Sequence, residues 1–256
     1  MKIKNYKKLR NGQYEVFFEN NLKVLLYEDA ILDAELLRKK EVSEEELNEI
    51  ISLNERYEVY IKSIKYLNAK MRSEKEIRVK FKDYSNDAIN YAINRLKKEG
   101  YLNNQSYIAA YVNDQINLKV VGPNKIKKDL SSLGFKEEEF QEVIDNIDNE
   151  VWLVKIRKLI DKTIKSNHNK SNSSLVIKIT NDLMNKGFPT YLITDELNKI
   201  EFNDDSLLLE KEFNKLYKKY KEKYPKEELK YQLINKLYQK GFDREKINNI
   251  INKIIK

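Results

Sequence analysis

Few residues in this chain could do chemistry: one histidine, His168, no cysteine, and short acidic runs such as Glu137, Glu138 and Glu139 or Asp204 and Asp205. His168 stands in "KSNHNKSNSS", a polar link, without the Cys or second His that a zinc site needs. No nucleophile, base and orienting group can be assembled around it. The carboxylate runs could hold Mg2+, but both fall where helices begin, and acidic residues there complement the helix macrodipole. "VVGPNKIKK" lacks the Walker spacing, and Trp152 opens a helical stripe that suits a core position. The chain is therefore read as a non-enzyme with no metal and no cofactor.

Basic residues offer more. At helical period, "MRSEKEIRVKFKDY" turns Ile77 and Phe81 inward and leaves Arg72, Lys75, Arg78 and Lys82 outside. "GPNKIKKDL" turns Ile126 and Leu130 inward and leaves Lys125, Lys127 and Lys128 outside. Such cations on matching helices could track phosphates or acidic carboxylates along a partner, which makes these seven the candidate partner-binding residues; the alternative is a solvated helix face. Basic against acidic residues number 10 to 12 in 1–57, 11 to 6 in 58–103, 5 to 9 in 104–150, 9 to 5 in 151–203 and 14 to 9 in 204–256. The sign alternates, which suits a protein partner as well as a nucleic acid.

The elements that must carry these residues are helical. Only 6 Gly and 3 Pro punctuate 256 residues, too few for an all-β or loop-rich protein. With 35% charged and 41% hydrophobic residues, and no long uncharged apolar window, the chain suits neither a membrane nor a disordered protein. A monomer in the cytoplasm, free of membrane, is expected. Residues 1–55 differ from the rest: "YEVFFENNLKVLLYE" alternates Tyr14, Val16, Phe18 and then Leu22, Val24, Leu26 around Asn20 and Asn21, predicting a two-residue hairpin turn. A strand near Ile3 could join it. "EDAILDAELLRKK" reads as helix, and Ser43 with Glu46 stands in capping-box spacing.

From there a pattern recurs. Counting from the aromatic at each helix corner (Tyr84, Phe135, Phe188, Phe242), five residues on lie Ile89, Phe140, Ile193 and Ile247. Nine on lie Ile93, Ile144, Leu197 and Ile251, and twelve on lie Leu96, Ile147, Ile200 and Ile254. Upstream, Ile126, Ile179 and Leu233 pair with Leu130, Leu183 and Leu237, matched in a shorter first copy by Ile77 and Phe81. Gly134, Gly187 and Gly241 precede the last three aromatics, where a left-handed residue can end a helix. Pro189 suits the first turn of the helix that follows, and Ser85 and Asp243 suit caps. Each copy opens with a further helix, clearest in the stripe Tyr57, Tyr60, Ile61, Ile64, Leu67. The prediction is a mainly α protein of tandem three-helix repeats at 56–103, 104–149, 150–203 and 204–256, in an elongated array behind a small β-hairpin and helix module. Four units of helices roughly 20 Å long would extend on the order of 80 Å, against a radius of gyration near ~18 Å for a globule of this length.

"YLNAKMRSEKEIRVKF", "AINRLKKEGYLNN", "YIAAYVN" and "GPNKIKKDLSSLGF" resemble, in order, the RecX family. Its pattern runs Arg-Ser-Glu-x-Glu, Gly-Tyr-(Leu/Ile)-Asp-Asp, an aromatic-x-Ala segment and Gly-Pro-x-x-Ile-x-x-x-Leu. The resemblance is specific over roughly residues 60 to 145. It implies tandem three-helix repeats, here in the longer four-repeat form. It also implies a regulator of the RecA recombinase that lies in the groove of the filament on single-stranded DNA, hinders its extension and depresses ATP hydrolysis and strand exchange, touching DNA repair, recombination and the SOS response. Direct binding of single- or double-stranded DNA is the alternative. Two departures stand out: Asn103 and Asn104 replace the acidic pair, and "NDQINLK" stands where arginines are frequent.

Overall fold

Alternating apolar residues near the N-terminus form a sheet. In the computed structural model, which describes residues 1–9 and 12–255, β1 (Ile3–Lys8), β2 (Gln13–Phe18) and β3 (Lys23–Tyr27) make an antiparallel sheet in the order β1-β2-β3. Val16, Phe18 and Leu26 are buried on one face. The hairpin turn is one residue longer than the sequence suggests. The Phe18 N–H donates to the Leu22 carbonyl at 3.0 Å and Asn21 alone is left-handed, with φ 63°, so residues 19–21 form a three-residue loop. Such a loop places its last residue in the left-handed region that Asn tolerates.

The stretch expected as one helix after β3 is two pieces, α1 (Glu28–Asp33) and a 3-10 turn at Leu36–Arg38, with Glu35 left-handed between them. The break has a reason. Ile31 and Leu36 are both buried in the core under the sheet, yet residues five apart on a continuous helix point about 140° from each other. Helix α2 (Glu44–Ala69) then opens with the Ser43 and Glu46 capping box. It runs unbroken through residue 55, where the sequence changes character, because it serves two cores. Leu47 and Ile50 pack under the sheet, while Val59 and Tyr60 pack with α3 (Glu74–Lys80) and α4 (Asn86–Lys98).

The remaining helices come in threes: α5 (Asn104–Leu118), α6 (Pro123–Ser132) and α7 (Glu137–Asp145); α8 (Asn149–Ser166), α9 (Asn172–Asn185) and α10 (Thr190–Leu197); α11 (Ser206–Tyr220), α12 (Lys226–Gln239) and α13 (Arg244–Ile254). The chain divides into two compact units, Met1–Tyr111 with Leu130–Phe140, and Val112–Asp129 with Gln141–Lys256. Residues of α5, α6 and α7 are thus shared out between them.

The repeat positions fill the cores. Ile89, Phe140, Ile193 and Ile247 are buried, as are Ile93, Ile144, Leu197 and Ile251. The twelfth position is different: Leu96 is buried, Ile147 and Ile200 are half-buried and Ile254 is exposed. Helices α7 and α10 stop at Asp145 and Leu197, so the helical period no longer aims Ile147 and Ile200 inward, whereas Ile254 is the last residue of α13. Ser85 and Asp243 cap α4 and α13 as anticipated, whereas Pro189 is itself the N-cap of α10, one residue ahead of the first turn.

Three corners share one hydrogen-bond pattern. Gly134, Gly187 and Gly241 have φ of 95°, 83° and 81°. Their N–H groups donate to Ser131, Met184 and Tyr238, and the next residues, Phe135, Phe188 and Phe242, donate to Leu130, Leu183 and Leu237. This is the Schellman closure of a helix, which satisfies its last carbonyls. The first copy has Asp83 in place of glycine, not left-handed, and α3 ends instead at Phe81 with φ −109°.

Each glycine corner also meets the start of the middle helix of the preceding copy. The Lys186 and Gly187 carbonyls accept N–H groups of Gly122 and Asn124 at 2.8 and 3.0 Å. The Lys240 carbonyl accepts the hydroxyls of Ser171 and Ser174 at 2.6 and 2.7 Å. Lys75 Nζ donates to the Ser132 carbonyl at 2.9 Å. Carbonyls at one helix end meet donors at the start of another, so orphan groups and opposed dipole ends satisfy each other.

Candidate partner-binding surface

The seven cations singled out by the sequence fall into distinct environments. Arg72 is not an outside residue: only 22% of its side chain is exposed. Its guanidinium lies 4.2 Å from the Tyr66 ring centroid and Nη1 donates to Glu76 at 3.2 Å. The "RSEKE" stretch explains why. Ser73 is the N-cap of α3 and forms a capping box with Glu76, and the same Glu76 carboxylate draws Arg72 back over the helix start.

Arg78 is exposed but committed. Its Nε and Nη2 grip Glu74 at 2.9 and 2.8 Å, and Nη1 donates to Asn90 at 2.8 Å. Lys97 reaches the other oxygen of Glu74 at 2.5 Å. Burial alone would raise the Glu74 carboxyl, but Lys97 and Arg78 together hold it below the ordinary range. Lys75, Arg78, Lys97 and Lys136 line one shallow cleft of about 490 Å³, together with Glu74, Glu138 and Glu139. Lys97 and Lys136 escaped the sequence reading. Lys97 lies in the last turn of α4, where a basic residue is ordinary helix chemistry.

Lys125, Lys127 and Lys128 belong to the other compact unit. Lys125 pairs with Asp129 at 2.6 Å and Lys127 with Asp145 at 3.1 Å. Lys127 and then Gln141 hold the Asp145 carboxyl below its usual range. Among the described residues Lys82 and Lys128 are exposed and form no ion pair, which leaves their ammonium groups available.

On the middle helix of each copy, three outward positions lie eleven, seven and four residues before the corner aromatic. They are Asn124, Lys128, Ser131 in the second copy, Ile177, Asn181, Met184 in the third and Tyr231, Asn235, Tyr238 in the fourth. In the shorter first copy the equivalents are Lys75, Val79 and Lys82. At the outer two positions the first copy presents Lys75 and Lys82 and the second Asn124 and Ser131, where the last two copies present large apolar or aromatic side chains, each about half to two-thirds exposed.

The other chemical candidates have structural roles. His168 lies in an exposed turn. Glu139 accepts the Lys136 N–H at the start of α7, and Asp204 and Asp205 together hold Lys246 at 2.7 and 3.0 Å. Trp152 is buried. Among the described residues no group of His, Cys, Asp or Glu is arranged to hold a metal ion.

Known proteins are similar in sequence to nearly the whole chain. The chain is 27% identical over 245 residues to the regulatory protein RecX of Listeria monocytogenes, covering 93% of this chain and 91% of that one. It is 27% identical over 230 residues to the regulatory protein RecX of Oceanobacillus iheyensis, covering 88% and 85%. In sequence the chain is thus similar to RecX proteins along about nine-tenths of its length. No protein-family model matches it. A crystal structure of regulatory protein RecX, 23% identical, superposes with a TM-score of 0.67 over 76% of this chain and 98% of its own; that likeness concerns the fold. The RecX pattern is now legible as structure. Arg-Ser-Glu-x-Glu is the cap of α3, and Gly-Pro-x-x-Ile-x-x-x-Leu places Gly122 against the Gly187 corner, Pro123 in the first turn of α6, and Ile126 and Leu130 inside. The RecX acidic pair is Asn103 and Asn104 here. Asn104 donates to Glu139 at 2.6 Å, a bond that an aspartate could not make.

Proposed function

We propose that this chain modulates the RecA recombinase, mainly by inhibition, by binding the RecA filament on single-stranded DNA and so affecting DNA repair and homologous recombination. The observation that carries the reading is similarity to proteins named regulatory protein RecX over 93% of the chain. Exposed lysines on the middle helices of the first two copies supply a surface able to meet acidic groups. The protein acts as a monomer in the cytoplasm, and no helix among the described residues is long and apolar enough to cross a membrane. Added below the concentration of RecA, purified protein slows ATP hydrolysis dependent on single-stranded DNA. An unchanged rate across a wide titration rejects the reading.

A second reading, direct binding of DNA, draws on exposed Tyr231 and Tyr238 along the lysine-bearing α12, since aromatic rings beside cations suit single strands. It requires tight binding to an oligonucleotide without RecA and a steep loss of affinity with salt.

A further inference from the structure

The first compact unit also holds a feature of another kind. Tyr66 near the end of α2, Val79 on α3 and Leu133 just past α6 line a groove of about 420 Å³, rimmed by Lys75 and Lys80. Val79 is 64% exposed. It is a β-branched apolar residue on the outer side of a short helix whose other outward positions are charged, and neither helix propensity nor the core requires it there. Lys80 Nζ lies 5.8 Å from the Tyr66 ring centroid and, among the described residues, has no carboxylate partner. The nearby Glu76 is already engaged by the Ser73 N–H and by Arg72. Two cations, Lys75 and Lys80, thus line an apolar recess whose one carboxylate, Glu76, already has its partners.

We propose that this groove takes a short acidic segment of a protein partner through one apolar side chain, which packs on Tyr66, Val79 and Leu133 while flanking carboxylates reach Lys80 and Lys75. The inference rests on the reading above, in which the partner is a subunit of the RecA filament, and adds where and through what chemistry it is held. Charge complementarity selects an acidic occupant. The apolar recess selects a peptide over a phosphate backbone, which would use the lysines but gain nothing from Val79. An aromatic face for a base is not free either, because the Tyr66 ring already carries Arg72 and meets Phe81 edge-on at 6.4 Å.

The test uses the full chain, fluorescently labelled, titrated with RecA filaments assembled on single-stranded DNA. Val79→Asp and Lys80→Glu are both at exposed positions, and Val154→Asp, at a site 55% exposed in the other unit, is the control; melting curves check that all three fold. Val79→Asp and Lys80→Glu each weaken binding about tenfold or more, and the control binds like the parent. If the parent binds and both groove variants bind equally well, the groove is not the site and the inference is overturned with the general reading intact. Loss in Lys80→Glu alone also overturns it, in favour of a phosphate contact. Failure of the parent itself to bind removes the general reading and the groove with it.

Discussion

The Gly187 carbonyl oxygen accepts the Asn124 N–H at 3.0 Å, and a Cβ added to Gly122 would lie 2.3 Å from that same oxygen. Two glycines 65 residues apart therefore let the backbones of α6 and α9 touch directly. Neither position tolerates a side chain, and for Gly187 the left-handed φ of 83° adds to the steric demand.

Gly187→Ala thus carries two penalties that can be separated. Gly100 has nearly the same φ, 81°, but nothing lies within 4 Å of an added Cβ. Gly100→Ala should cost only the left-handed term, about 1–2 kcal/mol. Gly187→Ala should cost roughly 3 kcal/mol or more, because its Cβ would meet the Lys125 backbone nitrogen at 2.3 Å and force the helices apart. Urea unfolding followed by the fluorescence of Trp152, the one tryptophan, reads Gly187→Ala; circular dichroism reads Gly100→Ala. Equal losses would refute the docking role of the corner.

Asn104 and Glu139 form a pair in which the RecX pattern would place an aspartate. Asn104→Asp puts a carboxylate where the amide now donates to Glu139 at 2.6 Å, turning a hydrogen bond into a like-charge contact. A loss of roughly 1 kcal/mol is expected. Glu139→Gln should restore much of it, and a double-mutant cycle measures the coupling. Additive losses would show that the two side chains do not interact.

The corners were legible in the sequence because their physics is local: a glycine, an aromatic and apolar residues five and nine positions on fix a helix end and the next core stripe. What stayed hidden depends on residues distant in sequence or on a helix shared between cores. The contact of Gly122 with Gly187 has no local trace. The run of α2 through residue 55 is masked by a composition change that falls inside the helix. The burial of Arg72 depends on Tyr66, which stands across the helix break before Ser73. Among the candidate cations, period alone separates inside from outside, but it cannot show that Arg78 is held by Glu74 and Asn90 while Lys82 has no ion pair among the described residues.

That difference divides the seven cations into two experimental classes. Arg72→Ala removes the stacking on Tyr66 and the bond to Glu76, so it should destabilise the fold by about 1–2 kcal/mol. Lys82→Ala and Lys128→Ala remove exposed side chains without ion pairs and should change stability by less than about 0.5 kcal/mol. Under the proposed function the lysine variants lose potency in the RecA ATP hydrolysis assay while melting like the parent. If only Arg72→Ala loses potency, in step with its stability, Lys82 and Lys128 are ordinary solvated residues.

Acid should loosen the second unit through Glu196. This carboxylate, 5% exposed, is held by Arg157 at 2.7 and 3.2 Å and by Lys199 at 2.6 Å. The Arg157 bonds, outweighing burial and helped by Lys199, bring it from 4.5 down to about 2. A carboxylate with a depressed folded value favours the native state above its unfolded value, and this contribution fades as pH falls from about 4.5 toward 2. Because Arg157 and Lys199 are 45% and 63% exposed, solvent screening limits the contribution to on the order of 1 kcal/mol. Glu196→Gln should therefore be less stable than the parent at pH 7, with the gap closing as pH falls through 4 toward 2. Urea midpoints read from Trp152 across that range measure it. A gap that stays constant with pH would mean that the glutamate acts through shape and hydrogen bonding, not through its charge.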